Sequence, residues 1–116
     1  MTALAPRSPL TPRRPEIRYG QVWESLDEAI GSTRYLVVSS DAYNAAFGDR
    51  RVIAVEIDSR GLFQGAYREP IVDAGTAHLD RVTWVTRRQL VELVAELHPD
   101  RHAHVAKVIR SLIGNI

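Results

Sequence analysis

The stretch RYLVVSSDAYN, residues 34–44, carries the strongest fold signal in this 116-residue chain. Residues 35–40 are a short apolar run rich in β-branched side chains, which predicts a buried strand. Residues 41–47 have the character of a single helical turn, with Ser40 or Asp41 as its N-cap. Arg34 stands at the mouth of the buried strand. A lone arginine there is most often part of a surface ion pair, so a functional role needs support from the pattern around it.

Around this stretch the pattern predicts further short strands and one helix. The strands are expected at residues 17–24, 52–57, 69–73, 78–85 and 91–97, and loops or turns at residues 26–33, 59–65, 74–76 and 86–89. After Pro99, a good first helical residue, five apolar residues fall on one helical stripe: Val105, Val108, Ile109, Leu112 and Ile113. The fold class predicted is mainly β with a C-terminal helix, a small and strongly bent antiparallel barrel.

The composition excludes several classes of protein. Without cysteine, the chain cannot be a disulfide scaffold, hold a thiolate zinc site or use a cysteine nucleophile. No apolar run approaches about 18 residues, so no membrane span is expected. The N-terminal residues lack the apolar stretch of a signal peptide, so secretion is not expected and the cytoplasm is the expected location.

The charges are unevenly distributed. The net charge is +1, and 14 of the 15 basic residues are arginine. Three of these arginines fall in residues 1–15, where Pro6, Pro9, Pro12 and Pro15 favour an extended chain. We therefore expect a disordered Pro/Arg-rich tail at residues 1–15, or a basic arm that contacts RNA or a partner, followed by one domain at residues 16–116. Since the domain alone is slightly acidic, broad phosphate binding is not expected, although a local arginine site remains open.

Common catalytic and nucleotide-binding signatures are absent. The sequence has no phosphate-binding loop, dinucleotide fingerprint or zinc-binding helix motif. No serine lies in a nucleophile elbow. His98 and His102 are four residues apart, as metal ligands can be, but no acidic residue is spaced to complete a site. A solvated helix face is the favoured interpretation of these histidines.

Four segments, in order along the chain, resemble the MazF/PemK-type toxins of bacterial toxin–antitoxin pairs. These segments are residues 20–23 (GQVW), 34–44 (RYLVVSSDAYN), 52–57 (VIAVEI) and 79–85 (LDRVTWV). The resemblance covers residues 19–114 and implies the SH3-like barrel of the CcdB/PemK-type superfamily. It also implies a homodimer and a metal-independent endoribonuclease without a cofactor. Such a toxin, or mRNA interferase, inhibits growth by cutting single-stranded RNA through attack of a ribose 2′-hydroxyl, which leaves a cyclic phosphate.

The resemblance assigns roles to individual residues. Arg34 matches the catalytic arginine, whose task is to stabilise charge on the phosphate. Asp58 stands where the family has a catalytic threonine, so it is expected either to act as a general base or to weaken the site, and the neighbouring Ser59 offers a hydroxyl. Arg81 and Trp84, together with Arg60, are the expected RNA contacts; for Trp84, a place on the barrel surface or in an interface is the stronger expectation.

Two alternative functions remain open at this point. One is a CcdB-type DNA gyrase poison, which has the same barrel and acts through the end of its terminal helix; the ending LIGNI, residues 112–116, is only loosely similar. The other is a non-catalytic, toxin-like binding module, which Asp58 favours. The expected partners of the toxin are a second copy of the chain, single-stranded RNA, and a cognate antitoxin with an acidic, partly disordered tail.

Overall fold

The computed structural model describes residues 15–27, 31–59 and 65–114. Within them, six strands form one antiparallel sheet in the order β4-β5-β3-β2-β1-β6. The strands are β1 (Gln21–Asp27), β2 (Gly31–Val37), β3 (Arg51–Asp58), β4 (Arg68–Ile71), β5 (Gly75–Thr86) and β6 (Leu90–Glu96). Helix α1 (Asp41–Phe47) connects β2 to β3, a 3-10 turn (Arg87–Gln89) connects β5 to β6, and helix α2 (Pro99–Leu112) follows β6. The predicted fold class, mainly β with a C-terminal helix in a curled barrel, is confirmed.

Both faces of the sheet are apolar at its centre. One face packs on α2 through a cluster that includes Val22, Leu36, Val55, Leu79 and Val105. The other face holds a second cluster that is centred on Trp23, Val37, Val52, Val85 and Leu90. Leu36 and Val37 are adjacent in β2 and point to opposite faces, which explains why the sequence of this strand is continuously apolar rather than alternating.

The predicted helical turn after β2 is confirmed, and Ser40 is its N-cap. The Ser40 hydroxyl accepts a hydrogen bond from the Tyr43 amide at 3.1 Å. The preceding strand ends earlier than expected, at Val37 rather than at residue 40. The Val38 and Ser39 amides both donate to the carbonyl oxygen of Ile53, at 2.9 and 3.1 Å, so the regular pairing stops there.

Two boundaries near β1 differ from the prediction. Residues 17–20 precede the strand, although Ile17 is buried in the second cluster. Of the loop expected at residues 26–33, residues 26–27 belong to β1 and residues 31–33 to β2, whereas residues 28–30 lie outside the described residues. Gly31 and Ser32 indicated a loop, but backbone hydrogen bonds pair this end of β2 with β1 whatever its side chains.

The turn before β5 is also displaced from its expected position. It was expected at residues 74–76, but β4 ends at Ile71 and β5 already begins at Gly75. Asp73 adopts a φ of 65° in the connection, a conformation that aspartate tolerates better than most residues. The connection places the carbonyl groups of Asp73 and Ala74 beside β2, which matters for the site described below.

Helix α2 is anchored by polar contacts at its first turns. Arg101 forms a bidentate ion pair with the buried carboxylate of Glu69, with Nε–Oε2 and Nη2–Oε1 distances of 2.7 and 2.9 Å. The Tyr19 hydroxyl donates to the carbonyl oxygen of His102 at 2.8 Å. In the part of the chain that the structure describes, no helix is long and apolar enough to cross a membrane.

Replacing Tyr19 with phenylalanine is expected to lower the free energy of unfolding at neutral pH by about 1 kcal/mol, because the carbonyl oxygen of His102 loses its donor. Burial raises the pKa of Tyr19 above its usual value of 10.0. The neutral phenol therefore contributes stability that is complete below about pH 10 and is lost as the pH rises through the raised pKa. Urea unfolding at neutral pH measures the lost hydrogen bond, and urea unfolding as the pH rises through the raised pKa measures the loss of the contribution from the neutral phenol. The exposed Tyr67, changed to phenylalanine, serves as the control and should alter neither.

Candidate active site

A polar groove lies beside β5, where the beginning of β2 is next to the end of β3. Its volume is about 500 Å³. Strands β1 to β3 contribute Glu24, Ser32, Thr33, Arg34, Glu56, Ile57 and Asp58 to the lining, the residue after β3 contributes Ser59, and β5 contributes His78 and Arg81. Four of the residues that the sequence singled out are thus brought together in one groove: Arg34, Asp58, Ser59 and Arg81.

Arg34 is held in place by its neighbours on both sides. It pairs in register with Glu24 of β1 and with Ile57 of β3. Its Nε donates to Glu24 Oε1 at 3.2 Å, and its Nη1 donates to the carbonyl oxygen of Ala74 at 3.1 Å and to that of Asp73 at 3.4 Å. Nη2 takes no part in these bonds. The guanidinium is therefore both anchored and one-third exposed, with donor capacity left for a ligand.

Asp58 and His78 form a second polar pair in the groove. The Asp58 Oδ2 atom lies 3.9 Å from His78 Nε2. The side chains are 18% and 5% exposed, respectively, so the carboxylate is nearer to solvent and the imidazole is deeper. Gly75 packs directly against the carbonyl oxygen of Asp58 with a φ of 125°, so a side chain there would displace the end of β3.

An irregularity in β5 shapes this part of the groove. Val55 of β3 pairs with Val82, whereas Ile57, two residues further along, pairs with Ala77. Glu56 alone therefore stands opposite residues 78–81 of β5. Bulges of this kind redirect side chains and are common beside functional sites. Here the extra residues bring both His78 and Arg81 to the groove.

The charges in the groove nearly balance. Arg34 and Arg81 are positive, whereas Glu24, Glu56 and Asp58 are negative. With a neutral imidazole the lining carries a formal charge of −1, and with a protonated one it is neutral. An anionic ligand would therefore bind to the two individual guanidinium groups of Arg34 and Arg81, because the groove as a whole is not basic.

The other two predicted contacts are Arg60 and Trp84. Arg60 lies outside the described residues, and Trp84 is not part of the groove lining. Trp84 is 70% exposed on β5, and the Arg51 guanidinium stacks 5.1 Å from the centre of its ring. The same guanidinium lies 4.9 Å from the Phe47 ring, so Trp84 belongs to an aromatic surface beside α1.

Three acidic or basic groups of the site were not singled out from the sequence: Glu24, Glu56 and His78. Glu24 and Glu56 lie in strands on either side of β2, and a correct pairing of β1 with β2 would have placed Glu24 opposite Arg34. His78 carries no sequence signal, since its position depends on the irregularity in β5.

The histidines at the start of α2 have structural contacts. The His98 ring caps the helix by accepting from the Asp100 amide at 3.1 Å. His102 is half-buried rather than solvated, as its ring meets Tyr19 edge to face and its Nε2 lies 3.1 Å from the Leu97 carbonyl oxygen. Among residues 15–27, 31–59 and 65–114, no group of three or more His, Cys, Asp or Glu side chains is placed to hold a metal ion.

The fold and groove together define a class of small curled barrels with an anchored arginine at the mouth of a buried strand. Solved structures with a similar fold include an endoribonuclease in complex with its cognate antitoxin, from Mycobacterial species, with a TM-score of 0.66 and 18% identity over 85% of this chain and 99% of that one. A second endoribonuclease from Mycobacterial species has a TM-score of 0.68 and 17% identity, over 84% of this chain and 91% of that one.

The third match is to the MazE-MazF complex (form II) from Deinococcus radiodurans, with a TM-score of 0.64 and 25% identity over 84% of this chain and 93% of that one. No protein-family model matches the sequence, and neither does any curated protein. The structural matches confirm the resemblance to MazF-type toxins, and they establish that this chain has their fold.

Proposed function

We propose that this protein is a MazF-type toxin of a toxin–antitoxin pair and that it cleaves single-stranded RNA. The observation that carries the proposal is the anchored Arg34 guanidinium in a groove that also contains a carboxylate and a hydroxyl, on a fold shared with endoribonucleases. The fixed guanidinium of Arg34 is planar and permanently charged, so it can stabilise a phosphate that gains negative charge during the reaction.

The proposed reaction is an internal transesterification. Asp58 accepts the proton of the ribose 2′-hydroxyl, whose oxygen then bonds to the adjacent phosphorus. The bond from phosphorus to the 5′-oxygen breaks, and that oxygen takes a proton from water. The products are a 2′,3′-cyclic phosphate and a 5′-hydroxyl. Arg34 stabilises the charge on the phosphate oxygens, and Ser59, which lines the groove, donates a hydrogen bond to them through its hydroxyl.

Three side chains are proposed to bind the RNA: Arg81, Trp84 and Arg60. Arg81 lines the groove and is exposed, so it reaches a phosphate or a base edge. Trp84 offers a stacking face outside the groove, and Arg60, directly after Ser59 in the sequence, is the third proposed contact. None of these steps requires a metal ion or a cofactor.

The proposed partners are a second copy of the chain and an antitoxin whose acidic segment covers the groove. An antitoxin partner is supported by the first structure compared above, which is an endoribonuclease in complex with its cognate antitoxin. Residues 16–116 are the proposed toxin domain, which acts in the cytoplasm, and residues 1–15 a tail. Of that tail, the structure describes only Pro15.

The homodimer is proposed to form through an apolar face beside α2. Val82 and Ile113, which are 48% and 67% exposed, line a depression there together with Ile53 and Ile109.

Replacing Val82 with glutamate is expected to turn the dimer into a monomer, because a buried unpaired carboxylate is costly. Light scattering coupled to size exclusion measures the change. The exposed Val91 on β6, also changed to glutamate, is the matched control, and a monomer for both variants, or a dimer for both, would contradict this assignment.

A non-catalytic binding module is the second candidate, and the acidic residues of the groove favour it. Such a module would bind an antitoxin but leave RNA intact. The gyrase-poison alternative depends on the chain end, and residues 115–116 lie outside the described residues.

Incubation of the purified protein with a long RNA in EDTA, followed by mapping of the new 5′ ends, tests the proposed function. Cleavage at defined sites is expected, with cyclic phosphate termini. The non-catalytic candidate would be favoured by cleavage no greater than that of the Arg34→Ala variant.

A further inference from the structure

Glu24 of β1 lies opposite Arg34 of β2 in the lining of the groove. Its Oε1 atom accepts a hydrogen bond from Arg34 Nε at 3.2 Å, and both side chains are 34% exposed. An ion pair with this degree of exposure contributes little to the free energy of unfolding. Stability is therefore a weak explanation for an acidic side chain at this position.

The strand on the other side of β1 does not explain this acidic side chain either. There, Glu24 is paired in register with Glu92 of β6. Like charges directly opposite each other weaken the pairing of two strands. Within the described residues, the hydrogen bond and the ion pair of the Glu24 carboxylate are both made with Arg34. These contacts connect Glu24 to the proposed catalytic group.

The bond to Glu24 completes a two-sided support of the Arg34 guanidinium. On one side, Nη1 donates to the carbonyl oxygens of Ala74 and Asp73, at 3.1 and 3.4 Å, in the connection between β4 and β5. On the other side, Nε donates to Glu24. Because a guanidinium is planar, bonds at two of its nitrogens fix the direction of the third. That third nitrogen, Nη2, takes no part in these bonds and has donor capacity for a phosphate.

The groove contains further groups that attract a guanidinium. Glu56 and Asp58 contribute carboxylates to the same lining. In a partly buried groove, the attraction between opposite charges is weakly screened. An arginine that is held only at Nη1 keeps the freedom to turn toward either of these carboxylates. Its charge would then stabilise a protein side chain instead of the phosphate.

We propose that Glu24 is a positioning residue for Arg34. It holds the Nε edge of the guanidinium, so that Nη2 points to the phosphate as soon as RNA binds. Glu24 thus acts on the rate of the chemical step through Arg34, whereas its own negative charge opposes RNA binding. Loss of Glu24 slows cleavage without weakening binding. This inference rests on the proposed function, since it concerns the same site.

The test uses Glu24→Leu, which removes the acceptor and the charge but keeps a side chain of similar size. Its single-turnover rate at saturating RNA is expected to fall about 10-fold to 100-fold, the loss typical of a misdirected catalytic group. Binding is measured by fluorescence anisotropy with a single-stranded RNA of 2′-O-methyl riboses, which lacks the attacking hydroxyl and cannot be cleaved. The Kd of this RNA is expected not to rise.

The matched control is Glu96→Gln, at an exposed glutamate of β6 outside the groove. It removes one negative charge, as Glu24→Leu does, but leaves the guanidinium of Arg34 in place. This control is expected to cleave RNA at the wild-type rate. A rate that falls equally in both variants would show an effect of net charge and would overturn the proposal.

The Arg34→Lys background distinguishes an action through Arg34 from a separate role of Glu24. Lysine has no Nε edge for the carboxylate to hold. In this background, Glu24→Leu is expected to change the rate less than about twofold. An equal loss in both backgrounds, or a higher Kd with an unchanged rate, would overturn the proposal. If the leucine variant does not fold, Glu24→Gln repeats the test with a smaller expected loss, because its amide oxygen is still a neutral acceptor.

A measurement without RNA separates this inference from the proposed function. NMR of the arginine Nε–H groups reports on Arg34, whose signal is identified by its absence from the spectrum of Arg34→Lys. The signal is expected to shift or disappear in Glu24→Leu and to remain unchanged in Glu96→Gln. If it does so but ordinary RNA is not cleaved, the proposed function fails and the anchoring of Arg34 stands. A signal that is the same in Glu24→Leu as in the wild type overturns the inference even if RNA is cleaved.

Discussion

Replacing Arg34 with alanine is expected to lower kcat/KM for RNA cleavage by about 10²–10³, the loss typical of one preorganised donor to a developing anion. The guanidinium is fixed by Glu24 and by two turn carbonyls, so it is already in position before RNA binds. Lysine in its place keeps the charge but not the planar fork, and we expect only partial activity. Initial rates of cleavage of a defined RNA, measured under single-turnover conditions, give these ratios.

Stability must be measured alongside activity for this variant. Arg34→Ala also removes a donor from the carbonyl oxygens of Asp73 and Ala74, at a cost of about 1 kcal/mol in unfolding free energy. Arg88→Ala, at an exposed arginine outside the groove, is the matched control and is expected to cleave at the wild-type rate. Undiminished cleavage by a folded Arg34→Ala protein would remove the central element of the proposed mechanism.

Replacing Asp58 with asparagine is expected to lower kcat by about 10²–10⁴, because the side chain keeps its shape but can no longer accept the proton of the 2′-hydroxyl. Binding of uncleavable RNA should not weaken in the same variant, since a negative charge leaves the groove. The opposite directions of these two effects distinguish a lost base from a damaged groove. The measurements are single-turnover rates and anisotropy on the same preparation.

Asp58→Thr separates a catalytic acid from a decayed site. It restores the hydroxyl that the resemblance to MazF-type toxins leads one to expect, and we expect it to be as inactive as the asparagine variant. An increase in activity would instead show that the acid had weakened an older site. Asp49→Asn, at an exposed aspartate outside the groove, controls for the loss of one negative charge and should cleave normally.

The elements of the fold could be predicted wherever apolar side chains dominate. β-Branched runs located β2 and β3, and the spacing of Val105, Val108 and Ile109 located α2. The strands β1 and β2 were both predicted, but their facing ends were expected to be a loop, because Gly31 and Ser32 are typical of loops and the backbone pairing leaves no pattern in the side chains. The presence of a strand thus follows from its buried side chains, whereas its ends depend on the backbone pairing with the neighbouring strand.

The candidate site was predictable to a similar extent. Arg34, Asp58 and Arg81 were found because each lies in a segment with a recognisable pattern, and the structure places all three in one groove. His78 was not found, because its position follows from an irregular pairing of β5 with β3. The Glu24–Arg34 ion pair was missed for a related reason, since the register of β1 against β2 was not foreseen.

The irregular pairing of β5 divides one long strand into two parts that evolution can alter separately. The part up to Ala77 is in register with the end of β3, and the part from Val82 onward is in register with its beginning. His78 and Arg81 lie between these two fixed parts, so substitutions at these two positions change the groove without moving the apolar face that contains Val82. A lineage could therefore change the proposed RNA specificity while keeping the proposed subunit contact, whereas deletion of a single residue from residues 78–81 would disturb both.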